Sequence, residues 1–255
     1  MTSLLPVVLG AAMAFQVAPA QVAGNLPAQS PRIIAEGNPN LTDETRGDIM
    51  MARKMYRDAI DFYKPGAAKS AVLANKTGIA YHQMGDIDNA KKYYERAIKL
   101  DRTYPEAYNN LGTVQYAKKS YGSAIKSYER ALALTPKAAS VWSNLGTAYF
   151  ARKKFPEALR AYQYALELDP DVFERRGSNG VMLQERSVED RAMFYYTLAK
   201  SYAQAGDVER TLRYIRFALE NGFKDRKKFT EEQVFSLVKD NEVFKQLLAT
   251  EQNVL

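Results

Sequence analysis

Apolar residues recur three and four positions apart through most of residues 71–172, in stretches of about a dozen separated by short polar turns. That spacing lays one apolar stripe along a helix, so the pattern predicts consecutive amphipathic helices rather than strands. The stretches come in pairs, as in "SVWSNLGTAYFARK" followed by "FPEALRAYQYALEL". Gly85-Asp86 is helix-breaking chemistry between the members of one pair, and Pro136 and Pro170 stop the second member of two others.

The pairs also repeat. "AYNNLGTVQY" at residues 107–116 returns 34 positions later as "VWSNLGTAYF", with Asn-Leu-Gly-Thr unchanged. Rows begun at Pro105 and Ala139 match Tyr108 with Trp142, Leu111 with Leu145, Gly112 with Gly146, Ala124 with Ala158, Tyr128 with Tyr162, Ala131 with Ala165 and Pro136 with Pro170. A row begun at Ala71 places Gly78, Tyr81, Ala90, Tyr94 and Ala97 in the same columns. Self-similarity at such a period is the signature of a stacked repeat array. Gly112 and Gly146 sit where two helices must approach closely, with Ala124, Ala131, Ala158 and Ala165 as the reciprocal gap. A larger side chain there overpacks the pair, at about 1–3 kcal/mol.

This pattern of aromatic, Leu-Gly, Tyr, Ala, Tyr, Ala and Pro resembles the tetratricopeptide repeat family, of the bacterial exported type. Gln115 departs from the family's usual Tyr, and Arg102 from its terminal Pro. The resemblance implies an all-α, right-handed helical solenoid with capping helices. Residues 1–20 read as a signal peptide, 21–46 as a Pro-rich linker and 47–70 as an N-terminal half-repeat helix that caps the array. Within that half-repeat, "GDIMMARKMYRDAI" at 47–60 matches the second helix of a unit. Three units fill 71–172, a loop is inserted at 173–191, a fourth unit spans 192–225, and 226–255 holds C-terminal capping helices. Ser187 is placed to cap the fourth unit's first helix, and Thr230-Glu231-Glu232-Gln233 reads as a capping box opening a short helix. In the insertion, "GVMLQ" is apolar between charged flanks, and either lies against the groove or packs on a lateral edge.

Composition adds exclusions. The 255 residues contain no cysteine, which removes disulfides, Cys-based zinc sites and a cysteine nucleophile. The net charge of +7 is spread among alternating acids and bases, so no nucleic-acid partner is expected. Before Pro31 no side chain is charged, and "LLPVVLGAAMAFQVA" followed by Ala18-Pro19-Ala20 is the length and ending of a secretory leader, although a basic n-region is missing. Cleavage near Ala20 would leave a periplasmic or secreted chain with no integral membrane span; retention of the segment as an anchor stays open.

Catalytic chemistry is sparse. His82 is the single histidine, without a cysteine or second histidine to form a metal site or triad. No Walker-type loop, H-E-x-x-H or G-x-S-x-G motif occurs, and "RRGSNG" at 175–180 follows a helix rather than opening one. No enzyme activity, cofactor or metal is expected. Asn40 and Asn75 each begin a glycosylation-type triplet.

What remains is the concave face that the resemblance assigns to the first helix of each unit. The family's contact columns fall on Asn75, Lys76, Ile79 and His82, then Asn109, Asn110, Thr113 and Tyr116, then Ser143, Asn144, Thr147 and Phe150, then Tyr196, Thr197 and Lys200. Amides both donate and accept, so Asn110 and Asn144 could pair with the backbone of an extended peptide. The carboxylate clamp of chaperone-binding relatives is not matched. The expected function is a protein-binding scaffold or adaptor holding a peptide in this groove. Alternatives are a structural subunit of a cell-envelope assembly acting through convex or terminal faces, and a regulatory domain of an enzyme system.

Overall fold

The computed structural model describes residues 40–174 and 187–249. The expected leader, most of the expected linker, the RRGSNG turn and the GVMLQ segment lie outside the described residues. Those described form helix pairs: α1 (Asp43–Ala52) with α2 (Tyr56–Tyr63), α3 (Ala71–Gln83) with α4 (Ile87–Leu100), α5 (Pro105–Ala117) with α6 (Tyr121–Leu134), α7 (Ala139–Ala151) with α8 (Phe155–Leu168), and α9 (Val188–Gln204) with α10 (Val208–Glu220). Then come α11 (Lys227–Glu231), a 3-10 turn (Gln233–Val238) and α12 (Glu242–Ala249). Among the described residues there is no strand. Each pair stacks on the next, giving the expected all-helical solenoid.

One packing rule builds each pair from α1/α2 to α7/α8. A tyrosine sixteen residues after a glycine lays its ring over that glycine's Cα: a Cβ on Gly47 would lie 2.2 Å from Tyr63, on Gly78 2.6 Å from Tyr94, on Gly112 2.5 Å from Tyr128 and on Gly146 2.5 Å from Tyr162. No real Cβ tolerates such distances, so glycine is required by the ring rather than by backbone conformation. In the last pair Ala199 replaces the glycine, and the opposing position holds Ile215 rather than tyrosine; both are fully buried.

The turns repeat as well. Lys54, Gly85, Lys119, Lys153 and Gly206 all have φ between +58° and +79°. In each turn the following amide reaches back five residues to a carbonyl, from Met55 to Met50 through Asp207 to Tyr202, at 2.9 to 3.0 Å. This is the Schellman closure, which satisfies carbonyls left open at a helix end. Asp86 and Asp207 then cap the next helix by accepting from the amides of Asn89 and Arg210.

Three expectations need correction. Residues 47–60 are not one helix: the chain turns at Arg53–Met55 with Lys54 at φ +60°, so a complete helix pair, beginning at Asp43, stands where half a repeat and a linker were read. Thr230 does not open a helix; it lies near the end of α11, where its hydroxyl donates to the Lys227 carbonyl, and Phe229 beside it is fully buried. The insertion is shorter than its reading at both ends. Val172 and Phe173 are buried, with Phe173 edge-on to Tyr162 at 5.2 Å, and α9 already starts at Val188, capped by Ser187 as expected.

At the C-terminal end, Phe223, Phe229, Phe235 and Phe244 are buried against α9 and α10, and Tyr196 stacks on Phe223 at 4.5 Å. A stacked array leaves its last apolar face uncovered, and this segment supplies the cover.

Candidate functional site: the first-helix face

Along the first helices, neighbouring units are joined by a ladder of side-chain bonds. The Asn110 amide donates to Asn75 Oδ1 at 3.0 Å, and Asn144 donates to Asn109 Oδ1 at 3.0 Å. Asn75 in turn donates to the Tyr104 hydroxyl at 3.3 Å and is only 3% exposed, which also removes it as a glycosylation acceptor. Toward the N-terminus ions take the place of amides: Lys76, in the Asn110 column, has its Nζ 2.7 Å from Glu44 Oε1, in the Asn75 column, and 2.7 Å from Asp48 Oδ2, one turn further along α1. Tyr63 donates to Asp48 at 2.6 Å. Burial alone would lower the Lys76 pKa, but the bonds to Asp48 and Glu44 outweigh it and the net shift is upward.

Toward the C-terminus the first-helix face ends in a second ionic knot. Lys200 Nζ is 2.7 Å from Glu232 Oε2, and the Tyr196 hydroxyl donates to the same carboxylate. Desolvation works against the Glu232 charge, yet the bonds from Lys200 and Tyr196 prevail and hold its carboxyl below the ordinary value. Burial first, and then that carboxylate, push the Tyr196 hydroxyl far above its own.

The other expected contacts divide by burial. Thr113 and Thr147 bond back to the carbonyls of Asn109 and Ser143 and accept from the hydroxyls of Tyr128 and Tyr162, so they complete the helix pairs rather than facing a ligand. Phe150 is 2% exposed and packs against Phe155 and Phe194. Ser143 and Thr197 are buried; Ser143 Oγ has no partner among the described residues. Half-buried residues remaining on the face are Ile79, His82, Asn109, Asn110, Tyr116 and Asn144. Burial lowers the His82 pKa, favouring its neutral form. Thus the structure brings the asparagines together, but ties both expected groove lysines to the chain's own acids.

Sequence reasoning missed Glu44, Asp48 and Glu232. The first two were within reach: Gly47 precedes Tyr63 by the same sixteen residues that separate Gly78 from Tyr94, so a row offset of 31 instead of 34 finds the first pair and puts Glu44 in the Asn75 column and Asp48 in the Ile79 column. Glu232 lies beyond the periodic part and carries no such signal.

Among the described residues no cluster of His, Asp or Glu could hold a metal ion, and no helix is long and apolar enough to cross a membrane. The repeat geometry agrees with comparison to known proteins. The TPR repeat family pattern matches residues 78–119 and 114–152, and the tetratricopeptide repeat pattern matches 139–172. Residues 78–172 are tetratricopeptide repeats. Repeats of this kind mediate protein–protein interactions. The Hsp70-Hsp90 organizing protein of Triticum aestivum is 30% identical over 95 residues, 35% of this chain and 16% of that protein, so the match spans about a sixth of that relative's length. A crystal structure of MamA has a TM-score of 0.50 at 23% identity, covering 71% of this chain and 96% of that one. YrrB, described as a TPR protein with an unusual peptide-binding site, has a TM-score of 0.50 at 17% identity, covering 77% and 94%. These two likenesses concern the fold.

Proposed function

We propose that this chain is a non-enzymatic interaction scaffold that holds an extended segment of a partner protein across the asparagine ladder of its central units. The observation that supports this reading is the ladder itself. Each Asn side chain has two N–H donors and a carbonyl acceptor. The inter-unit bonds Asn110–Asn75 and Asn144–Asn109 use part of that capacity and fix the amides in place. Fixed amides at repeat spacing suit a peptide backbone, and their pre-organisation lowers the ordering cost of binding. Tyr116, half-buried with its ring 5.0 Å from Tyr121, adds an aromatic edge beside the ladder.

Capture of a terminal carboxylate is a poor fit, because Lys76 and Lys200 are already neutralised. The segment bound is therefore read through its backbone, mid-chain, with little side-chain selection. The leader-like composition of residues 1–20 supports a periplasmic or secreted scaffold; sequencing the mature N-terminus checks this, with a start near Gln21 expected. A photo-crosslinker at Tyr116, compared with one at Lys126 on the second-helix side, tests the groove. Partner adducts at Tyr116 alone are expected. Adducts confined to Lys126 would instead favour a subunit assembling through its outer face.

A further inference from the structure

The outer side of the array carries a second, different feature. In the four pairs from α3/α4 to α9/α10 one residue of the first helix is matched, twelve positions on, by one of the second: Tyr81 with Tyr93, Gln115 with Ser127, Tyr149 with Ala161, Tyr202 with Tyr214. The first and last of these pairs are stacked rings, with centroids 5.4 and 5.1 Å apart. The second is a hydrogen bond of 2.7 Å between Ser127 and Gln115. In the third, Ala161 supplies no ring. A cleft of about 450 Å³ opens there, lined by Leu132, Trp142, Leu145, Tyr149, Ala161 and Tyr164, with Glu129, Glu157 and Arg160 at its edge. Tyr164 leans onto Trp142, centroids 5.0 Å apart, and is 51% exposed.

The charges bordering the cleft are of unequal standing. Glu157 has Lys154 at 3.7 Å. Glu129 accepts from the Tyr149 hydroxyl at 2.8 Å and has no ion-pair partner among the described residues. A chain with a net charge of +7 thus presents, beside an open aromatic cleft, two acids against the one cation Arg160, with Glu129 held by a tyrosine hydroxyl rather than an ion pair.

We propose that this cleft docks an aromatic side chain of a partner protein, flanked in the partner's sequence by a lysine or arginine. The ring takes the space that Tyr93 and Tyr214 fill in their own units, against Tyr149, and the flanking cation pairs with Glu129. Aromatic anchors in desolvated pockets are the usual centres of binding energy at protein interfaces. This surface is separate from the asparagine ladder and stands whether or not the ladder binds peptide.

Trp142 is the single tryptophan of the chain, so its fluorescence reports on the cleft without labelling. The probe is acetyl-Lys-Tyr-Lys-amide at millimolar concentration, with acetyl-Lys-Ala-Lys-amide as control, on the full chain. A saturable change in emission is expected with the tyrosine peptide and binding about tenfold weaker with the alanine peptide. Ala161→Tyr, which copies the α3/α4 and α9/α10 pairs, should abolish the response while preserving helical circular dichroism. Glu129→Gln leaves the core intact and should weaken binding several-fold and remove its salt dependence. No saturable change, an equal response to the alanine peptide, or a response surviving in folded Ala161→Tyr would overturn the proposal. Self-association of the chain that Ala161→Tyr abolishes, without a peptide response, would assign the cleft to a second copy and overturn the stated partner.

Discussion

The centre of the array and its two ends bridge the first-helix face with different chemistry. Between the central units, uncharged amides bridge neighbouring first helices, Asn110 to Asn75 and Asn144 to Asn109. At the ends, the bridges are ionic: Lys76 with Glu44 and Asp48, and Lys200 with Glu232. Amide bridges neither titrate nor screen, and they keep capacity for a further partner. A satisfied ion pair closes its position. The difference teaches that groove columns shared by a repeat family need not be available in every unit, since an end unit can spend them on holding its cap.

Beneath both kinds of bridge lies the tyrosine-on-glycine packing, and removing it should have the largest effect. Tyr162→Ala is expected to cost about 3–5 kcal/mol in urea unfolding, because a fully buried ring is deleted and Gly146 is left beside a cavity. Both regions should lose stability together.

Glu232→Gln separates them. It leaves Lys200 without its carboxylate, and with side chains 25% and 29% exposed the loss should be about 1 kcal/mol. Hydrogen exchange should show faster opening of residues 227–249 with the central helices unchanged. Acid should act likewise. Glu232 has its carboxyl pKa lowered from 4.5 on folding, so its contribution is present above that pH and is lost as the pH falls through the lower folded value. Exchange measured across that range should loosen the C-terminal cover while the Asn bridges hold.

At the N-terminal end, Lys76→Gln should cost about 0.5–1 kcal/mol, with the difference shrinking in high salt because the pair is partly exposed. A small opposite effect is expected at a central turn. Lys119 holds φ at 58°, a region costly for a side chain, so Lys119→Gly should gain about 0.5 kcal/mol in thermal unfolding.

Much of this organisation is legible in the sequence, for reasons that also mark where legibility stops. The period of 34 is imposed by packing between adjacent units, so Gly112, Tyr128, Gly146 and Tyr162 announce the helix pairs directly. The first pair hides because it is 31 residues ahead of the next, so Gly47 and Tyr63 fall outside the 34-residue columns. Along the first helices, column membership locates Asn110 and Asn144 but not what they touch. Thr113 and Thr147 occupy a ligand-facing column, yet the hydroxyls of Tyr128 and Tyr162 need an acceptor, and that internal demand claims them. Phe150 is claimed by the next unit's Phe194. Tyr196 and Lys200 are claimed by Glu232, whose position depends on the fold of a non-repeating tail.

The most direct test compares two double variants in capture of the partner recovered by crosslinking at Tyr116. Asn110→Ala with Asn144→Ala should reduce capture at least about tenfold, as expected for losing two hydrogen-bonding amides. Lys76→Gln with Lys200→Gln should leave capture unchanged, and circular dichroism should confirm folding of both proteins. Unchanged capture by the asparagine variant with loss in the lysine variant would contradict the account, placing recognition at the ionic ends instead of the amide centre.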